Sequence, residues 1–257
     1  MRKEFEKLTI IVCSYKANKE FKLCLHQLAR YGFVGQNLKI YENSPSEYKS
    51  NREMLKQFNI EYIDNPGGSH ADTMNRAINE VKTKYALILD SDCFCTADPA
   101  KFITFMENKK IQLYGDICGD RGGYRIHKRV HPWYCYVDID FLKKNKIQFV
   151  DFERMKSSNS ESFIDITKLA DRRDPAGYYY DVGSTMYEDV QSAGGICADI
   201  GDTKPFIHVE GASWRRNFKQ YEETVAGQDN WVHMLYGKLQ FEEKYLNLLG
   251  NKTDAKS

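Results

Sequence analysis

At 257 residues the chain is long enough to bury a substantial core, as one large domain or two small ones. Hydrophobic residues make up 42% and charged residues 28%, which is ordinary globular composition and excludes a disordered or collagen-like chain. A formal net charge of +1 gives no global basic field that would argue for a nucleic-acid partner, and no apolar run approaches the roughly 18 residues of a membrane span.

Leu8 to Cys13 is an apolar, β-branched run that predicts a first strand, ending in Ser14-Tyr15-Lys16. Phe21, Leu25 and Leu28 at helical spacing predict a helix stopped by Gly32. Leu38 to Tyr41 reads as a second strand running into the polar turn Glu42-Asn43-Ser44-Pro45, and Asn51 to Phe58 as a helix. Ile60 to Ile63 reads as a third strand, broken by Asp64-Asn65-Pro66-Gly67-Gly68. A helix over Ser69 to Thr83 follows, with Met74, Ala77, Ile78 and Val81 inward, and then a strand ending at Asp90. This alternation predicts βαβ units and an α/β fold, with a mostly parallel central sheet flanked by helices and the polar turns on one rim.

Beyond Asp98-Pro99 the pattern loosens. Ala100 to Glu107 predicts a helix, Tyr114 to Gly119 a strand, Tyr134 to Ile139 another strand and Asp140 to Asn145 a short helix. Between them lies a basic loop with Arg121, Arg125, Lys128 and Arg129, and residues 151–177 read as a long polar loop of the kind that is either functional or disordered. Ser184 to Ala193 predicts a helix ended by Gly194-Gly195, followed by strands at Ile196 to Ile200 and Pro205 to Val209. Helices are expected around Trp231 to Tyr236 and Phe241 to Leu249. The seven cysteines, none in a C-x-x-C pair, read as small buried hydrophobes in a reducing compartment. With a short charged start at Met1 to Lys7 and no apolar leader, the expected location is cytoplasmic.

The chemistry centres on Tyr85 to Phe94. Five apolar residues lead into Asp90-Ser91-Asp92, so two carboxylates sit where a buried strand ends. In open α/β sheets ligands bind outside the carboxyl ends of the strands. Two carboxylates there would hold Mg2+ or Mn2+, and through it the phosphates of a nucleotide. The alternative is a pair of turn or capping aspartates.

The run Ile10-Ile11-Val12-Cys13-Ser14-Tyr15, the turn Glu42-Asn43-Ser44, and Asn65-Pro66-Gly67-Gly68-Ser69 ahead of Met74-Asn75-Arg76-Ala77-Ile78 resemble the opening motifs of glycosyltransferase family 2. So do Leu89-Asp90-Ser91-Asp92, Asp181-Val182-Gly183 ahead of a helix, and Ile207-His208-Val209-Glu210-Gly211-Ala212-Ser213-Trp214, all in the family's order. The resemblance spans roughly residues 8 to 215 and implies a GT-A fold in a single domain, with residues 1–98 binding a nucleotide sugar and 99–257 the acceptor.

It further implies a metal-dependent, inverting hexosyltransferase-type enzyme of polysaccharide biosynthesis. Its donor would be a nucleotide-diphosphate sugar of the UDP type, and its acceptor a glycan or other hydroxyl. Asp92 would ligate Mn2+ or Mg2+, with Asp90 closer to the ribose or a metal-bound water, and His208 would be a third ligand or a phosphate contact. The alternative for His208 is a satisfied core histidine. Glu42, where the family more often has Asp, would accept hydrogen bonds from the base or ribose, beside Ser14 and Tyr15. Gly67 and Gly68 would let the backbone approach the nucleotide, and Arg215 with Arg216 would neutralise donor phosphates. Inverting displacement needs a general base, here Asp181, with Asp189 and Glu188 in reserve. The alternative for Asp181 is a helix N-cap. Trp133, Tyr134, Trp214 and Tyr178-Tyr179-Tyr180 would stack on sugars or pack in the core, and the basic loop would bind an anionic sugar, a phosphorylated lipid carrier or a nucleic-acid strand, or form a solvated face.

Two other functions share this architecture. A sugar-phosphate nucleotidyltransferase would carry a glycine-rich basic loop after the first strand, which Ser14-Tyr15-Lys16-Ala17-Asn18 lacks. A non-catalytic nucleotide-sugar-binding partner subunit would bind nucleotide without turnover. A nucleic-acid acceptor finds little support in the net charge.

Overall fold

A computed structural model describes residues 3–119, 126–155, 180–201, 204–209, 211–212 and 222–250. The strands are β1 (Leu8–Ser14), β2 (Leu38–Glu42), β3 (Ile63–Asp64), β4 (Tyr85–Asp90), β5 (Cys93–Cys95), β6 (Ile111–Cys118), β7 (Arg129–Asp138), β8 (Ile196–Asp199) and β9 (Phe206–His208). The helices are α1 (Lys3–Lys7), α2 (Asn18–Arg30), α3 (Ser50–Gln57), α4 (His70–Glu80), α5 (Lys101–Lys109), α6 (Ile139–Lys144), α7 (Phe152–Met155), α8 (Ser184–Ser192), α9 (Glu222–Lys238) and α10 (Glu243–Gly250). They form the expected α/β fold, with a seven-stranded sheet in the order β3-β2-β1-β4-β7-β6-β8 and a two-stranded β5-β9 sheet. β1/β2, β2/β3 and β6/β8 pair parallel, and β6/β7 pair antiparallel.

The chain forms two compact units interleaved along the sequence. One comprises Met1–Leu8, Ser69–Ile88 and Ala100–Lys204, and the other Thr9–Gly68, Leu89–Pro99 and Pro205–Ser257. The second is built on β1, buried along its whole length, with Val12 opposite Ile40 and Ser14 opposite Glu42. Phe21, Leu25 and Leu28 of α2 are completely buried, and α2 packs on α3, β5, α9 and α10. His26 ties α2 to the tail. Its Nε2 accepts the Glu242 N–H at 3.1 Å, and its ring lies 4.8 Å from Phe241. The predicted third strand at Ile60 forms only at Ile63–Asp64. Asn59 adopts left-handed φ +53 and Ile60 N–H bonds back to Leu55 O at 2.8 Å, so the end of α3 consumes the residues that would have begun the strand.

In the first unit Ser69 caps α4, its hydroxyl accepting the Asp72 N–H, and Asp138 caps α6 in the same way through Phe141. β7 begins at Arg129, earlier than the predicted Tyr134, and contains Pro132. The register explains the tolerance. Gly115 faces Cys135 while Ile117 faces Val130, so β7 carries extra residues in a bulge, and Pro132 falls among those without a partner in the β6 register. Tyr134 and Tyr136 are completely buried with hydroxyls 2.9 Å apart, so Tyr134 is core and not a sugar platform. All seven cysteines are free, with Cys13, Cys24, Cys93, Cys95 and Cys135 buried, in keeping with their reading as small hydrophobes. Among the described residues no helix is long and apolar enough to cross a membrane. Most of the predicted 151–177 loop lies outside the described residues.

Candidate active site

β4 carries five buried residues to its end, and the chain leaves the strand at Asp90. Asp92 is buried and is followed by β5, whose three residues were not foreseen as a strand. β5 pairs antiparallel with β9, setting Cys93 opposite His208, and the Val209 N–H donates to the Asp92 carbonyl at 2.9 Å. This pairing brings in a histidine more than a hundred residues distant in sequence. Among the described residues, Asp90, Asp92 and His208 each offer one ligand atom, all within 4.8 Å of one another. His208 Nε2 stands 3.4 Å from Asp92 Oδ1. Carboxylate oxygens with an imidazole nitrogen suit a divalent first-row cation such as Mn2+, and suit Mg2+ less, because Mg2+ favours all-oxygen shells. The donor set fits the group expected there.

The turns after β1 and β2 form a second cluster in the same unit. Glu42 is completely buried and is not an exposed turn acid. The buried Ser14 hydroxyl donates to it, as do Asn51 Nδ2 at 2.9 Å and the Ser44 N–H at 2.8 Å. Both side chains are thus turned inward on each other, and in this structure neither presents a free polar atom to a ligand. Tyr15 is half-buried, with the Lys16 ammonium 5.3 Å from its ring centre. Arg52, which sequence reasoning passed over, organises the turn. It donates to the carbonyls of Ser44 and Tyr48 at 2.8 and 3.0 Å and pairs with Asp64 at 2.8 Å. A single arginine in a polar helix gave no signal of this.

Gly67 holds a left-handed φ of +71 and donates its N–H to Asn43 O at 3.0 Å, with open space where a Cβ would stand. Gly68 is constrained differently. A Cβ there would come within 2.6 Å of Asn65 Cγ, so the room it leaves is filled by Asn65, whose amide donates to Asn43 Oδ1.

In the first unit the N-cap of α8 is Gly183, at φ +89, where a Cβ would strike the Val130 carbonyl at 2.1 Å. Asp181 is therefore not the cap. Its carboxylate is bound by Arg129 and accepts the Val182 N–H at 2.7 Å, and its side chain is 13% exposed. The reserves are engaged too. Glu188 pairs with His127 at 2.8 Å, and Asp189 with Arg154 at 2.8 Å. Arg121, Arg125, Trp214, Arg215, Arg216, Tyr178 and Tyr179 lie outside the described residues.

The model of glycosyl transferase family 2 matches residues 9–166, more than half of the chain. No curated protein matches. Among solved structures, S. aureus TarS 1-349 is 14% identical, with a TM-score of 0.43 over 73% of this chain and 64% of that one. The mannosyltransferase PcManGT from Pyrobaculum calidifontis, in complex with GDP-Man and Mn2+, is 11% identical, with a TM-score of 0.46 over 81% and 59%. The bifunctional IspDF from Campylobacter jejuni is 12% identical, with a TM-score of 0.45 over 83% and 54%. The chain spans less than two thirds of the length of each.

Proposed function

The chain belongs to glycosyl transferase family 2, and we propose that it moves a sugar, with inversion, from a nucleotide-diphosphate donor to a hydroxyl of a glycan or other acceptor. The observation that carries this reading is the convergence of Asp90, Asp92 and His208 at the end of β4. These residues would hold Mn2+ or Mg2+, which when bound would neutralise the charge on the leaving diphosphate.

The rest is done by the chain's own groups. Ser14 and Glu42 brace each other and fix the two turns of the nucleotide rim, and Arg52 holds the second turn by its carbonyls. Tyr15, half-exposed on that rim, offers its ring to the base, with UDP-type donors favoured. Gly67 leaves backbone open to the nucleotide, and Arg215 is assigned to the donor phosphates. Asp181 takes the proton of the acceptor hydroxyl as that oxygen bonds to the anomeric carbon and the bond to the diphosphate breaks. Arg129 positions the Asp181 carboxylate.

Calorimetric titration of UDP, GDP and ADP, each with Mn2+, with Mg2+ and with chelator, tests the reading. One diphosphate, UDP by preference, is expected to bind with metal and not with chelator. Binding that ignores the metal, or no binding of any diphosphate, would sink it.

A further inference from the structure

A pocket of about 470 Å3 opens in the first unit between the start of β7 and α8. Its volume lies in the range of small-ligand sites. Ile126 and the Tyr187 ring, both buried, give it an apolar floor, and Gln191 adds an amide. One wall is the His127–Glu188 pair at 2.8 Å. That wall is fixed before any ligand arrives. The His127 ring stacks on Tyr180 at 3.9 Å and 4°, and its carbonyl accepts the Ser184 hydroxyl at 3.3 Å. Arg154, bonded to Asp189 at 2.8 Å, also stands 3.9 Å from Glu188 on its other oxygen.

Lys128 is different. Its ammonium lies 5.9 Å from the Tyr187 ring centre, and it has no ion-pair partner among the described residues. Among the described lining residues Lys128 is the one lysine or arginine, set above an apolar floor suited to the face of a sugar ring and beside the Glu188 carboxylate and the Gln191 amide, both suited to hydroxyls. The next residue, Arg129, holds Asp181. Pocket and candidate base thus share one strand start and one helix.

We propose that this pocket is the subsite for an acceptor sugar residue bearing an anionic group, carboxylate or phosphate, which Lys128 binds. The proposal rests on the glycosyltransferase reading for the word acceptor, and on the pocket alone for the chemistry. A lysine ammonium is a point-charge partner for either oxyanion.

Ligand-observed NMR titrations of the metal-free full chain with glucuronate, glucose 6-phosphate and glucose test it. At least one anion is expected to bind about tenfold or more tighter than glucose, the worth of one charge-assisted hydrogen bond. The carboxylate and phosphate arms tell which anion is preferred. Lys128→Gln, an exposed change, should bring that anion to the level of glucose, while Lys128→Arg keeps part of the preference. Equal binding of glucose, undiminished anion binding to Lys128→Gln, or no binding of any of the three would overturn the proposal. Metal-dependent nucleotide binding is measured separately, so its failure would remove the enzyme reading and leave the anion result standing.

Discussion

In the unit built on β1, Asp90 and Asp92 converge with an imidazole as their neighbour. In the unit that carries α8, Asp181, Glu188 and Asp189 each face a basic side chain, Arg129, His127 and Arg154. The first arrangement gathers negative charge that a cation would neutralise, since like carboxylates at short range repel. The second pairs each carboxylate with a side-chain nitrogen and fixes its direction without a ligand. One region gathers the ligand atoms that a cation would need, and the other pairs its carboxylates within the chain.

Asp181→Asn tests the division hardest. It keeps a side chain of the same shape while removing the proposed base, so transfer should fall roughly 10²–10⁴-fold. Nucleotide affinity, read by calorimetry, should stay put. An equal loss of nucleotide binding would erase the distinction between the regions. Asp92→Ala is the counterpart, expected to weaken metal-supported nucleotide binding about a hundredfold or more, with little change in chelator. A variant whose metal dependence matched wild type would show the convergent carboxylates to be a structural turn.

Glu42→Ala sharpens the contrast within the first of these regions. Removing a fully buried carboxylate strands the Ser14 hydroxyl, the Asn51 amide and the Ser44 N–H. The cost should be about 3 kcal/mol, or a melting point lower by roughly 6–12 °C. If nucleotide binding weakens while the melting point holds, Glu42 is a ligand contact and not a brace.

The smallest effect concerns His26. Burial pushes its pKa down from 6.5 to about 4, with the Arg30 charge acting in the same direction and Glu242 opposing. Between those values the unfolded chain binds the proton that the folded chain refuses. Stability is therefore full above about pH 6.5, declines as the pH falls toward 4, and levels below it. The loss should be about 2 kcal/mol, seen as a falling denaturation midpoint. His26→Gln should flatten that part of the profile; an unchanged slope would show that other groups set it.

Much of the fold was legible in the sequence because its signals are local. The apolar run of β1, the helical spacing of Phe21, Leu25 and Leu28, and the glycine stop at Gly194 depend on residues within a turn or two of one another. Where a long-range or cap interaction competed, the local pattern misled. Ile60 went to the end of α3, and Pro132 was carried inside β7 by a bulge visible only from β6. The candidate site divides along the same line. Asp90 and Asp92 could be read from the end of their strand, and Asp181 was singled out only through the family resemblance of its place ahead of a helix. Nothing local announced Arg52 or the short strand β5, because their importance lies in carbonyls and partners far along the chain.

The sequence by itself determined the α/β order, the burial of β4 and the presence of two carboxylates where that strand ends, since each follows from hydrophobic spacing over a few residues. Only the tertiary structure decided that His208 stands 3.4 Å from Asp92, that Glu42 turns inward to Ser14, and that Asp181 is held by Arg129 and is not a cap. Those outcomes depend on strand pairing and on where a buried charge finds its partners, and neither is encoded within the reach of a local pattern.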